Sequence, residues 1–222
     1  MLVKRVIRAT AIAAALGLSL AACGTRTGYA SDADIPESLG ADGTSIVVGD
    51  EGADTTVRLF EDLRCPSSVE FKTQGAGAEL NKLIQKGSVQ VHYTVASFLD
   101  DKLGGNGSKK AANALRAALA EGKFVEYHQV LYANQPDEAV DGFTDEFLLK
   151  MASRVEGLRG AGFDAAVRTM QYEGFVTASE KAYENSSATD TPTLELSGVK
   201  LPEFEKGDLA YYTGSPAWAT RP

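Results

Sequence analysis

The chain has 222 residues, a net charge of −8 at neutral pH, 44% apolar residues and only two cysteines. The acidic balance repels phosphate backbones, so no nucleic-acid partner is expected. The apolar fraction suffices for a buried core. Two histidines and so few thiols leave a structural zinc site short of ligands, and neither metal nor cofactor is expected.

Lys4, Arg5 and Arg8 precede an apolar run, residues 9–22, that is too short to span a membrane stably. The run ends in Leu-Ala-Ala-Cys (Leu20 to Cys23), which resembles the lipobox of bacterial lipoproteins. The resemblance implies a cleaved signal peptide over 1–22 and lipidation of Cys23. The protein is then extracytoplasmic, anchored to the bacterial cell membrane by acyl chains. An ordinary secretory signal that happens to contain a cysteine is the alternative. Loss of three basic residues takes the net charge from −8 to −11. Residues 23–44 are small, polar and acidic and read as a flexible tether reaching on the order of 25 Å. That leaves 45–222 as one folded domain.

Within it, Ser45 to Asp50 reads as a short strand and Glu51 to Asp54 as a turn. Thr55 to Leu63 is β-branched and apolar, with Val57 and Leu59 in phase on one face. Pro66 suits the first turn of a helix that runs to about Lys86, with Gly75 and Gly77 marking a kink. Val89, Val91, Tyr93 and Val95 alternate against polar residues as a second long strand. A Gly-rich loop follows, and Ser108 is placed as the N-cap of a helix that ends at Gly122. Further helices are read over 123–134, from Thr144 to Gly157, and in one or two segments to Ser187. Thr193 to Leu201 restores two short strands around Ser197-Gly198. The order is α/β: a right-handed βαβ unit, an all-helical insertion at about 106–188, and a terminal hairpin on the same sheet. The aromatic, Pro/Gly-rich tail from Phe204 reads as a strap over the sheet.

A strand ending in Phe-Glu-Asp-Leu-Arg-Cys-Pro, a run Gly-Lys-Phe-Val-Glu-Tyr-His-Gln-Val-Leu-Tyr-Ala-Asn-Gln (122–135) and a late Thr-Pro-Thr before a hairpin resemble extracytoplasmic DsbA-like thioredoxin-fold proteins. The likeness covers nearly all of 45–201 and implies a thioredoxin-like fold with a helical insertion. It places Cys65 where the family has its nucleophilic cysteine and Ser68 where the resolving cysteine stands. Thr191 and Pro192 match the loop whose proline is cis and faces the sulfur, and whose backbone pairs with an extended substrate peptide. Pro66 follows the nucleophile on the substrate side. Two departures stand out. The motif reads Cys-Pro-Ser-Ser, and Asp190 occupies a position that is often glycine.

If Cys23 is lipidated, Cys65 has no partner in the chain, and in an oxidising compartment a lone thiol is either buried or used. A cysteine at a helix N-terminus sees unpaired N–H groups that favour its thiolate. Glu61, Asp62 and Asp190 oppose that, and Arg64 is the neighbouring cation that offsets them. Ser68 is expected to donate a hydrogen bond to the sulfur but cannot attack a mixed disulfide. Two readings stay open. In one, the protein is a monothiol enzyme of thiol-disulfide exchange on exported protein or peptide clients, served by a low-molecular-weight thiol or a membrane redox partner. In the other, it is a thioredoxin-fold peptide- or protein-binding lipoprotein without redox activity. His128, on the apolar face of its helix, is expected to be packed and hydrogen-bonded.

Overall fold

The computed structural model describes residues 28–73, 76–196 and 198–201. The residues read from sequence as a signal peptide, Cys23 and the tail read as a strap fall outside these. In chain order the described elements are a 3-10 turn at Asp32–Asp34, β1 (Glu37–Leu39), β2 (Ile46–Val48), β3 (Thr55–Glu61), α1 (Pro66–Thr73), α2 (Ala76–Gln85), β4 (Val89–Val95), α3 (Phe98–Leu103), α4 (Gly107–Ala120), α5 (Phe124–Tyr132), α6 (Asp145–Ala152), α7 (Ala161–Arg168), α8 (Glu173–Glu184), β5 (Thr193–Leu196) and β6 (Val199–Lys200). They form a six-stranded sheet in the order β1-β2-β4-β3-β5-β6.

β3 and β4 run parallel, as the α1–α2 crossover between them requires. β5 lies antiparallel on the other side of β3 and carries β6 antiparallel at the edge. Alternation along β3 puts Val57, Leu59 and Glu61 on one face and Arg58 and Phe60 on the other. The first face joins the main core, in which β2, β4 and β5 pack with α2 and the helical block. On the second, Phe60 meets Ala96 and Tyr183 of α8.

The tether expected over 23–44 is in large part folded. β1 pairs antiparallel with β2, Ile35 is buried in the core, and the Tyr29 amide donates to the Gln85 carbonyl at 2.7 Å. The polar composition concealed this, because β1 is held by backbone bonds and by one side chain at its start. The Glu37 carboxylate accepts the Phe124 and Val125 amides at 2.9 and 3.0 Å, capping α5.

The α1–α2 region is two helices, and Gly77 explains how closely they approach. A Cβ there would lie 2.7 Å from the Phe71 carbonyl oxygen. Thr144 caps α6 as expected, accepting the Phe147 amide at 3.2 Å. Ser108 does not cap α4, whose N-cap is Asn106. The Asp100 carboxylate reaches over from α3 and accepts the Ser108 and Lys109 amides, both at 2.9 Å. This frees the Ser108 hydroxyl to donate to Asp62 at 2.7 Å.

Candidate functional site

The antiparallel register pairs Thr193 with Phe60, so residues 191–192 lie beyond the C-terminal end of β3, beside the turn that leads into α1. Cys65 ends that turn. Its amide donates to the Asp62 carbonyl at 3.0 Å, and its carbonyl accepts the Ser68 amide at 3.1 Å as α1 begins. The Thr191-Pro192 peptide is cis. The Cys65 thiol donates to the Thr191 carbonyl oxygen, Sγ to O 3.1 Å. The fold therefore brings Cys65, Pro66, Thr191 and Pro192 together. Cys65 is only 7% exposed, with Pro66 and Ser67 on the surface beside it.

Ser68 lies one turn on, buried, and its hydroxyl does not reach the sulfur. The Oγ has no hydrogen-bond partner among the described residues and faces the Tyr132 hydroxyl, itself unpartnered. Hydrogen bonding from Ser68 to Cys65 is accordingly absent, because burial under α5 turns the Ser68 side chain inward.

Arg64 does not offset the acids around the sulfur either. Its guanidinium points away into the protein, where it pairs with Asp100 at 2.8 Å and donates to the carbonyls of Gly104 and Glu138 at 2.9 and 3.0 Å. Asp62 is likewise consumed by structure. Its carboxylate accepts the Arg64 and Leu99 amides and the Ser108 hydroxyl, fixing the Cys65 turn to α3 and α4. Burial raises its pKa to about 6 in spite of these bonds. Gln135 closes the other side, donating to the carbonyls of Leu63 and Cys65 at 2.5 and 3.1 Å.

Beneath α1 lies a second polar group. Glu61, in phase with the core residues of β3, meets His128 Nε2 at 2.5 Å. His128 is packed as expected, stacked on Phe124 and edge-on to Tyr93 and Tyr132. Lys72 from α1 is buried beside it, its ammonium 3.4 Å from the Tyr93 hydroxyl and 4.8 Å from that ring's centre. Burial opposes ionisation of Glu61, but His128 and then Lys72 hold the carboxyl below its usual range. Burial lowers His128 against the opposing pull of Glu61, and brings Lys72 down to about 8. A cleft of about 360 Å³ between α1–α2 and α5 is bordered by Lys72, His128 and Tyr132, which are themselves buried.

On the far side of the sulfur, Tyr183 stacks on Phe98 at 5.1 Å. Burial first, then the charges of Asp190 and Glu180, raise its phenol to about 12. Sequence reasoning missed Tyr183, Gln135 and Lys72. Glu61 left a signal, a carboxylate in phase with Val57 and Leu59. Tyr183 left none, since only the return of α8 to the sheet brings it near Cys65.

A parallel β3–β4 pair with an antiparallel β5, a cysteine at the N-terminus of the crossover helix and a cis-proline against its sulfur define a thioredoxin-type fold. A family model described as thioredoxin matches residues 41–207, and the chain belongs to that family. BdbD from Bacillus subtilis, in its oxidised form, superimposes with a TM-score of 0.67 at 22% identity, over 81% of this chain and 95% of that one. DsbG from Mycobacterium tuberculosis, described as a disulfide bond oxidoreductase, gives 0.64 at 21%, over 83% and 88%. MdbA from Corynebacterium diphtheriae, a thiol-disulfide oxidoreductase, gives 0.61 at 20%, over 76% and 88%. No curated protein sequence is a significant match.

Proposed function

We propose that this protein carries out thiol-disulfide exchange on exported protein or peptide clients as a monothiol, with Cys65 as nucleophile. The observation that carries the reading is the Cys65 sulfur, 3.1 Å from the carbonyl that precedes a cis-proline, at the start of a helix whose next turn offers Ser68 in place of a second thiol. The Cys65 thiolate attacks a client disulfide. A bond forms from Sγ to one client sulfur, the client S–S bond breaks, and the other sulfur leaves as a thiolate that takes a proton from solvent. Cys65 is oxidised and the departing sulfur reduced. Ser68 cannot complete a second displacement, so release needs a thiol from another molecule, either small or a membrane redox partner. Pro66 and the Thr191 backbone orient the client as an added extended segment. The solved neighbours described as oxidoreductases support the chemistry by analogy of fold.

The protein works outside the cytoplasm, held to the membrane by lipid on Cys23. Because folded structure begins by Tyr29, only residues 24–28 separate the anchor from the domain, at most about 18 Å when extended. This is shorter than the reach of about 25 Å expected from composition.

The low exposure of Cys65 favours a second reading, a binding module without redox activity. Reaction of the folded domain, lacking Cys23, with a small aromatic disulfide separates the two. Rapid stoichiometric release of the aromatic thiol from native protein, abolished in Cys65→Ala, supports exchange. Release only after unfolding overturns it and leaves the binding module.

A further inference from the structure

The residue before the cis-proline offers a client one N–H and one C=O, and in this protein both are occupied. The carbonyl takes the Cys65 thiol, and the Thr191 amide donates to Asp190 Oδ1 at 2.8 Å. The Asp190 carbonyl is in turn pinned by the Thr193 hydroxyl at 2.7 Å, which fixes the backbone while the carboxylate stays exposed. Among the described residues no Lys or Arg forms an ion pair with Asp190. Its unpaired charge acts on the phenol of Tyr183. Thr191 is 97% buried and its Oγ1 is unpartnered, so this loop also holds an unused polar atom next to the occupied pair.

An extended client cannot pair with the Thr191 amide until the carboxylate moves aside. A Lys or Arg beside the client cysteine offers that carboxylate a partner as it leaves the amide. A Glu or Asp in the same place meets an unpaired like charge. We propose that Asp190 is a specificity-determining residue that caps the client-binding amide and yields it preferentially to clients with a basic residue next to their cysteine. The inference rests on the exchange reading for its rate measurement, but its charge preference is testable without it.

The probes are two short peptides, each with a single cysteine activated as an aromatic mixed disulfide and flanked by either Lys or Glu. Their rates with the folded domain are divided by the rate for 2,2′-dithiodipyridine, which has no backbone to pair and reports the thiol itself. The wild-type protein prefers the Lys peptide about fivefold. Asp190→Ala brings the preference close to one and raises the normalised rate of the Glu peptide about fivefold by uncapping the amide. Asp190→Asn, whose side-chain oxygen still accepts the amide, loses the preference but stays slow. Unchanged preference and unchanged normalised rates in both variants overturn the proposal. Inertness of native Cys65 to 2,2′-dithiodipyridine defeats the exchange reading alone. In that event fluorescence anisotropy with serine-substituted peptides decides: the same order of affinities supports Asp190, and equal affinities across the three proteins overturn it.

Discussion

Two buried polar networks grow from adjacent residues, Glu61 and Asp62, and are built on different principles. The Asp62–Arg64–Asp100 network binds backbone. Its two carboxylates and one guanidinium engage four amides and two carbonyls of the Cys65 turn, α3, α4 and the 138 loop. The Glu61–His128–Lys72 network is almost wholly side chain to side chain, and the hydroxyls of Tyr132 and Ser68 at its edge are left without formed bonds. The first fixes where the chain goes. The second leaves the backbone alone, borders a cleft, and keeps titratable groups under the helix that follows Cys65.

The contrast breaks first at Arg64. Arg64→Met strands Asp100 as a buried, unpaired carboxylate and should cost about 3–5 kcal/mol in urea unfolding. A loss below about 1 kcal/mol would show that the backbone amides alone satisfy Asp100.

Lys72 tests the other network through pH. Burial puts it near 8, against an ordinary 10.5. Between those values the unfolded chain still holds a proton that the folded chain has lost, so wild-type stability rises with pH across the window. Stability measured from pH 8 to 10.5 should therefore climb in the wild type relative to Lys72→Met, by about 3 kcal/mol at most. Parallel curves would mean that Glu61 fully compensates the buried ammonium.

The smallest effects form a matched pair of hydroxyl deletions. Ser108→Ala removes one of three bonds to Asp62 and should cost about 1 kcal/mol. Tyr132→Phe removes a buried hydroxyl with no formed bond and should cost nothing, or raise stability by up to about 1 kcal/mol. Equal losses would erase the distinction between a network that is satisfied and one that is slack.

Much of this was legible in the residues. The alternation from Val57 and that from Val89 located the two long strands, Thr144 marked a helix start, and Gly122 an end. The fold class followed from the order of these periods. Cys65, Pro66, Thr191 and Pro192 could be matched to one another only through family resemblance, since more than a hundred residues separate them. Three of the errors had a common cause. Ser108, Arg64 and Ser68 were each given a role by their nearest sequence neighbours, as cap, counter-charge and donor to sulfur. Each instead serves a partner from a distant element: Ser108 bonds Asp62, Arg64 bonds Asp100, and Ser68 turns toward Tyr132.

By itself the sequence determined the periodic elements, the lone thiol of the domain and the absence of a second sulfur at position 68. These are properties of local spacing and residue type. Only the tertiary structure decided which carboxylates are spent on backbone, which are paired with cations, and which one, Asp190, stays exposed against the amide before the cis-proline. Burial and pairing depend on elements that meet across the fold, and no local pattern encodes that meeting.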